Sequence, residues 1–222
     1  MKLASWNTQG DFTETTKAAE INGTLKNMDV IMIQEGGVDK TWSHVGFKSY
    51  AGVGVGAFNE RCTNYILVSD DFREGKKAIY TTLSNIIGGG DAGRSACAVQ
   101  IDHDLFISWH SIASSNNSDT SQLIDKCLNL MSGNFGLSSI VIGGDFNTDP
   151  SNVEMMIAAK AASQKFTGSN FFVHVFNGGA SHSSGKTYDF FVVFTASNPA
   201  YTIGVQAVVP SDHNPVAIDV PI

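Results

Sequence analysis

Ile140-Val141-Ile142-Gly143-Gly144-Asp145-Phe146-Asn147 is the stretch on which the reading of this chain turns. The apolar triplet is short and β-branched, and two glycines close it, so it reads as a buried strand giving way to a loop. A carboxylate and an amide stand where the strand ends. Side chains at such an edge are held rigidly yet meet solvent, so a carboxylate there can bind a metal or move a proton. A second island, Ser211-Asp212-His213-Asn214-Pro215, follows the apolar run from Val205 to Val209 and repeats the arrangement with an imidazole beside the carboxylate. Taken alone, either island is ordinarily a turn. It is their recurrence along the chain that carries information.

Outward from these islands the chain alternates strands with single helices. Strands are predicted at Lys2 to Trp6, Val30 to Gln34, Leu105 to Trp109, Phe171 to Phe176, Tyr188 to Phe194 and Val216 to Val220. Tyr65 to Val68, Ala78 to Leu83 and Ala96 to Ile101 suggest a meander. Helical spacing places a helix over about Thr13 to Leu25 and another over about Thr120 to Met131, where Leu123, Ile124, Cys127, Leu128 and Met131 share a face. Ser151-x-x-Glu154 has the form of a capping box, predicting a short helix to about Ala162. Gly52, Gly54 and Gly56 alternate in a weak strand or loop. No Lys-Ser/Thr follows them, which excludes a P-loop. With no repeat and no low-complexity segment, the pattern predicts one α/β domain over residues 1–222, a four-layer sandwich of two packed, mostly antiparallel sheets flanked by helices.

Composition agrees with a packed globular enzyme. Hydrophobic residues make up 42% of the 222 and charged residues 16%. The net charge of −7 is that of a poor nucleic-acid binder, because affinity for phosphates normally comes from Lys and Arg. A bound divalent cation, however, inverts the local charge of an acidic cleft. Cys62, Cys97 and Cys127 are too few for a disulfide framework or a zinc cage, and the last two sit in apolar patterns that predict core positions. No run approaches membrane-spanning length, and Met1 to Asn7 lacks the apolar stretch of a signal peptide.

Six islands in all are placed at strand ends: Trp6-Asn7-Thr8-Gln9-Gly10, Ile33-Gln34-Glu35-Gly36, Ser108-Trp109-His110-Ser111, Gly144-Asp145-Phe146-Asn147, Thr187-Tyr188-Asp189-Phe190 and Ser211-Asp212-His213. They supply oxygen donors from Asn7, Glu35, Asp145 and Asp212, and two histidines. That set suits Mg²⁺, a hard cation that takes carboxylate and amide oxygens, better than zinc. His44, His103, His174 and His182 match no island and are assigned surface or structural roles. Phe190, Phe191 and Phe194 are assigned to the core.

In this order the islands resemble the endonuclease/exonuclease/phosphatase superfamily, the DNase I-like enzymes. Within it, Trp6-Asn7-x-Gln9-Gly10, Gln34-Glu35-x-Gly37 and Phe106-Ile107-Ser108-x-His110-x-x-Ala113-Ser114 are most similar to the catalytic B subunits of cytolethal distending toxins. The resemblance runs from Trp6 to Pro215. It implies that Glu35 and Asn7 hold Mg²⁺ (Mn²⁺ or Ca²⁺ being alternatives), with Asp212 completing or supporting that site. His213 would be general base or phosphate-orienting acid, aligned by Asp189. Asp145 would orient water or protonate the leaving oxygen. Asn147, His110 and Arg94 would hold phosphate oxygens. The chain departs from the toxin subunits in the segment between Tyr50 and Tyr65, which lacks a longer loop, and Cys62 stands where those subunits carry a second phosphate-contacting arginine.

The resemblance implies a DNA-nicking phosphodiesterase that is secreted with toxin delivery subunits, whereas the N-terminus alone predicts a cytoplasmic protein. A phosphatase acting on phosphoinositides or another small phosphoester is the alternative, and a catalytically silent binding module a third. Arg61, Arg73, Lys76, Lys77, Arg94 and Lys186 discriminate the first two, because a polymer substrate requires such cations to line one groove over the metal.

Overall fold

A computed structural model describes residues 1–37, 43–44, 46–52, 63–82, 96–113, 117–133, 136–163, 171–196, 202–205 and 211–220. Two sheets face each other. One is ordered β12-β13-β1-β2-β5-β4-β3 and the other β10-β11-β9-β8-β7-β6. The first is built from β1 (Lys2–Asn7), β2 (Val30–Gln34), β3 (Ser43–His44), β4 (Phe47–Ala51), β5 (Tyr65–Ser69), β12 (Thr202–Val205) and β13 (Val216–Asp219). The second holds β6 (Ala78–Thr82), β7 (Cys97–Ile101), β8 (Asp104–His110), β9 (Ser139–Asp145), β10 (Phe172–Phe176) and β11 (Asp189–Thr195). Each sheet has one parallel pair among antiparallel neighbours, β1 with β2 and β8 with β9. Helices α1 (Thr15–Gly23), α2 (Asp70–Arg73), α3 (Ser118–Ser132) and α4 (Pro150–Ser163) complete the described elements.

Strand alternation sorts the apolar residues into layers. Leu3, Met32, Phe106, Val141, Val193 and Ile218 point between the sheets and form the central core. Ala4, Trp6, Ile31, Ile33 and Leu67 point the other way and pack with Ile21 of α1. Ile107, Ile140, Ile142, Val192 and Phe194 pack against Leu123, Ile124, Cys127 and Leu128 of α3 and Val153 of α4. Strands covered on both faces need apolar residues at nearly every position, which is why β2 and β11 read as continuous hydrophobic runs. The expected four-layer α/β sandwich is the observed one. None of the described helices is long and apolar enough to cross a membrane.

Several local expectations are corrected. Tyr65–Ser69 does not join a meander with the two strands that follow. β5 pairs with β2 and β4 in the first sheet, while β6, β7 and β8 are neighbours in the second. Apolar periodicity cannot tell which sheet a strand joins. Ser151 does not cap α4, because the helix already begins at Pro150, whose fixed φ and missing N–H suit a first helical position. Of the run before Ser211, Val205 ends β12, and positions 206–210 fall outside the described residues. Cys97 and Cys127 are buried and Phe190, Phe191 and Phe194 are core residues, as expected, and the two thiols are free.

Candidate active site

The period of two that builds the core also builds the site. Along the inner face, the rows that begin at Leu3, Phe106, Val141 and Val193 continue through Ser5, Ser108, Gly143 and Phe191. They end at Asn7, His110, Asp145 and Asp189. The register sets the last three abreast, since His110 pairs with Asp145 and Asp145 with Asp189 across β8, β9 and β11. Four islands therefore lie at the C-terminal ends of the two parallel pairs. The other two begin strands instead of ending them, correcting the sequence reading. Asp189 opens β11, and Ser211-Asp212-His213 precedes β13. Both strands run antiparallel to their neighbours β9 and β1, so their starts reach the same edge.

A polar rung separates this mouth from the apolar interior. The buried Gln34 amide donates to Ser108 Oγ at 3.0 Å, and Ser5 Oγ donates to Gln34 Oε1 at 3.4 Å. Ser108 Oγ in turn donates to the Ile33 carbonyl across the sandwich at 2.9 Å. These bonds fix the two sheets relative to each other directly beneath the site, with the buried polar groups satisfied. Gly143 and the positions of Met32 and Phe191 are matched on the same level. A Cβ at Gly143 would stand 2.6 Å from Met32 Sδ and 2.7 Å from the Phe191 ring.

Glu35 reaches the mouth because the backbone leaves strand geometry there. In an unbroken β2 it would follow Ile33 outward toward α1, but its φ of +51° turns it inward. Its carbonyl holds that conformation by accepting Gly10 N–H at 2.7 Å and the Thr8 hydroxyl at 3.1 Å. Gln9 and Asn147 are also left-handed, each with φ of +50°. Strained backbone of this kind concentrates at functional sites.

Asp145 is the focus. Its Oδ2 accepts a hydrogen bond from Asn7 Nδ2 at 3.0 Å and lies 3.5 Å from His110 Nε2 and 3.8 Å from His213 Nε2. Oδ1 accepts Asn147 N–H at 2.9 Å. His110 Nε2 also stands 3.7 Å from Glu35 Oε1, joining the two sheets' carboxylates through one imidazole. On the other flank His213 Nδ1 donates to Asp189 Oδ2 at 2.7 Å, leaving Nε2 to face the mouth. Ser181 holds Asp189: its hydroxyl donates to Oδ2 at 2.8 Å while accepting the N–H groups of Tyr188 and Asp189. The Ser211 hydroxyl donates to the Asn7 carbonyl and Trp6 Nε1 donates to the His213 carbonyl, tying the last island to the end of β1.

Burial pushes the Asp145 carboxyl up to about 7, with the Asp189 charge adding to the rise against the opposing pull of His213, Asn147 and Asn7. Burial also raises Asp189, opposed mainly by His213. For His213 burial acts downward, but it is outweighed by the hydrogen bond and charge of Asp189 and by the charges of Asp145 and Asp212, so the imidazole is raised to about 9. The Asp145 and His213 shifts are both upward and so act on stability with one sign. The unfolded chain releases the Asp145 proton near pH 4 and the His213 proton near 6.5, while the folded chain keeps each to about 7 and about 9. Stability is therefore lost as pH rises through these windows. The melting temperature of the protein in EDTA should fall by several degrees between pH 5 and pH 9, and a flat or rising Tm would contradict the assigned protonation.

Every predicted site residue within the described set reaches this edge. Arg94 and Arg61 lie outside the described residues. Asp212, expected to complete or support the site of Glu35 and Asn7, has its carboxylate between His213 Nε2, at 3.6 Å, and His182 Nε2, at 3.3 Å. His182, read from sequence as surface or structural, was thus missed, as were Ser181 and the bridging Gln34–Ser108 pair. Asn147 Nδ2 gives one proton to the Ser111 carbonyl at 2.9 Å. Arg73 follows β5, and Lys76 and Lys77 precede β6. The pairings of Val30 with Val68, and of Ala78 through Ile101 to Asp104, place all three at the opposite edge from Glu35 and His110. Of the six cations named from sequence, Lys186 is the one in the described set on the site's side, in the loop whose Ser181 N–H bonds to the Lys186 carbonyl.

The donor set fits a hard divalent cation. Asn7, Glu35, Asp145 and Asp212 offer oxygens, no thiol is among them, and Asp189 Oδ1 is buried with no hydrogen-bond partner among the described residues. Adjacent buried carboxylates whose counter-charges among the described residues are imidazoles form an environment that a cation relieves.

A four-layer α/β sandwich with carboxylates and imidazoles at the shared edge of its sheets is the DNase I-like architecture, and solved structures agree along nearly the whole chain. The cytolethal distending toxin of Haemophilus ducreyi superposes with a TM-score of 0.69 at 20% identity, over 98% of this chain and 96% of that one. An endonuclease/exonuclease/phosphatase family protein from Leptotrichia buccalis gives 0.61 at 14%, over 100% of both chains. A 3′ phosphatase from Neisseria, bound to a product DNA hairpin, gives 0.63 at 13%, also over 100% of both. Identities this low make the likeness one of fold. No protein-family model matches the chain, and no curated protein matches it in sequence.

Proposed function

We propose that this protein is a divalent-metal-dependent phosphodiesterase that nicks DNA, acting as one domain over residues 1–222. The observation that carries the reading is the convergence of Asn7, His110 and His213 on one oxygen of the buried Asp145. Fold alone would not support it, since one fold hosts many chemistries.

Glu35 and Asn7 would hold Mg²⁺, with Asp212 in support; Mn²⁺ or Ca²⁺ would use the same oxygens. When bound, the ion polarises a phosphoryl oxygen and offsets negative charge. The protein's own residues do the rest. His213, kept cationic near neutral pH by Asp189, directs its Nε2–H into the mouth and orients or neutralises a phosphate oxygen, which favours the acid role over the base role. Asp145, with a carboxyl near 7, takes or returns a proton at the attacking water or leaving oxygen. His110 and Asn147 position the phosphate, with Arg94 assigned to a neighbouring phosphate.

Glu35→Gln should lower Mg²⁺ affinity at least about tenfold while leaving the fold intact, because it removes a formal charge from a hard-cation site. Calorimetry showing unchanged Mg²⁺ affinity would remove Glu35 from the metal site.

A second reading, a phosphatase acting on a phosphoinositide or another small phosphoester, is favoured by one observation. Arg73, Lys76 and Lys77 stand at the wrong edge to grip a polymer. A supercoiled-plasmid nicking assay with Mg²⁺ or EDTA, run beside phosphate release from inositol lipids, tests both. Metal-dependent nicking supports the nuclease; lipid phosphatase activity without nicking transfers the assignment. A nuclease of this toxin-like form would be secreted with delivery subunits and act in a target cell.

A further inference from the structure

We infer that His182 is a positioning residue for Asp212, holding that carboxylate against His213 through the polar contact of His182 Nε2 with its Oδ2. The inference rests on the hydrolytic reading of the mouth given above.

Asp212 lies in a loop and its side chain retains 36% exposure. Its two oxygens are nevertheless divided between two imidazoles. Oδ2 stands 3.3 Å from His182 Nε2 and Oδ1 stands 3.6 Å from His213 Nε2. The loop carrying His182 is stitched to the Asp212 island by two backbone hydrogen bonds. Ser183 N–H bonds to the Asp212 carbonyl at 2.8 Å and Asn214 N–H bonds to the Ser181 carbonyl at 2.7 Å, which together make the antiparallel bridge between His182 and His213. The His182 ring also packs edge-on against His213, with centroids 4.6 Å apart and planes at 78°.

The tautomer decides what His182 can do. Ser184 N–H donates to His182 Nδ1 at 3.0 Å, and the Ser184 hydroxyl lies 2.7 Å from the same nitrogen. A backbone N–H cannot donate to a protonated nitrogen, so Nδ1 is the acceptor and the neutral ring carries its proton on Nε2, facing Asp212. His182, Asp212 and His213 also place ligand atoms within 4.8 Å of one another, as a metal clamp would. Metal bound at Nε2 would force the proton onto Nδ1, into the Ser184 N–H. The hydrogen bonds therefore favour a proton donor to Asp212 over a metal ligand.

His182→Ala should lower kcat on the substrate identified above about tenfold, the usual cost of losing a supporting hydrogen bond. KM should change less than twofold and the melting temperature should be retained. His182→Gln, whose side-chain amide can reach the same oxygen, should recover most of the loss. Wild-type kcat in the Ala variant, or a Gln variant no better than Ala, overturns the inference. Independently of activity, two-bond ¹H–¹⁵N spectra of the whole metal-free chain should show His182 with Nε2 protonated. A proton on Nδ1, or transfer to Nδ1 on adding Zn²⁺, overturns it in favour of the clamp. Nδ1 protonation in a chain that hydrolyses phosphoesters sinks this inference alone, whereas absence of all hydrolysis removes both it and the reading on which it rests.

Discussion

Asp145→Ala and His213→Ala are each expected to lower kcat for phosphodiester hydrolysis by about 10²-fold or more, the usual loss when a positioned acid or base is removed. The two side chains are separate in sequence yet stand with Asp145 Oδ2 and His213 Nε2 3.8 Å apart, each raising or lowering the other's proton affinity. They titrate as a pair, so the pH–rate profile belongs to the pair and not to either residue. Removing Asp145 deprives His213 of a neighbouring negative charge. Removing His213 leaves Asp145 beside Asp189 without the intervening cation. The double variant should therefore lose less than the product of the single losses. Rates measured on one oligonucleotide at saturating Mg²⁺ decide it. Multiplicative losses would mean that the two groups serve different steps, and a single variant with near-wild-type kcat would remove that residue from the chemistry.

How far the site was legible in the sequence follows from which bonds built it. Asp145 and His110 announced themselves because a buried strand shows as an apolar run and its end shows as a sudden polar residue, and Asp189 stands at the start of such a run. Their meeting is then fixed by register alone. The four layers were legible for the same reason, since strands apolar on both faces require cover on both faces. Sheet membership was not. Tyr65–Ser69 looks like its neighbours in sequence, and its partner is chosen by long-range pairing with Val30–Ile33. Nor was the inward turn of Glu35, which depends on a left-handed φ held by Gly10 and Thr8. His182 and Ser181 were missed because they sit in a Gly- and Ser-rich loop with no periodicity, and their roles arise from hydrogen bonds to residues as far away as Asp212. One signal was present all the same: a histidine in a polar loop is a group available for binding.

Gly144→Ala should cost about 3 kcal/mol or more of folding stability, the upper range for overpacking a rigid interior. A Cβ on Gly144 would stand 2.0 Å from the Trp109 carbonyl oxygen and 2.8 Å from its carbonyl carbon. These are backbone atoms of β8, so no rotamer change can relieve the contact, and β9 must move away from its parallel partner. That movement falls one residue before the pair His110–Asp145, so whatever fold survives should also hold the mouth open and lose activity. Gly204→Ala is the control. Gly204 lies in β12 with nothing within 4 Å of an added Cβ, and the same chemical change there should shift stability by no more than about 1 kcal/mol. Urea unfolding midpoints of the two variants separate close packing from a generic effect of replacing glycine. A Gly144→Ala protein as stable as Gly204→Ala would show that β8 and β9 do not approach as closely as the shared edge of the site requires.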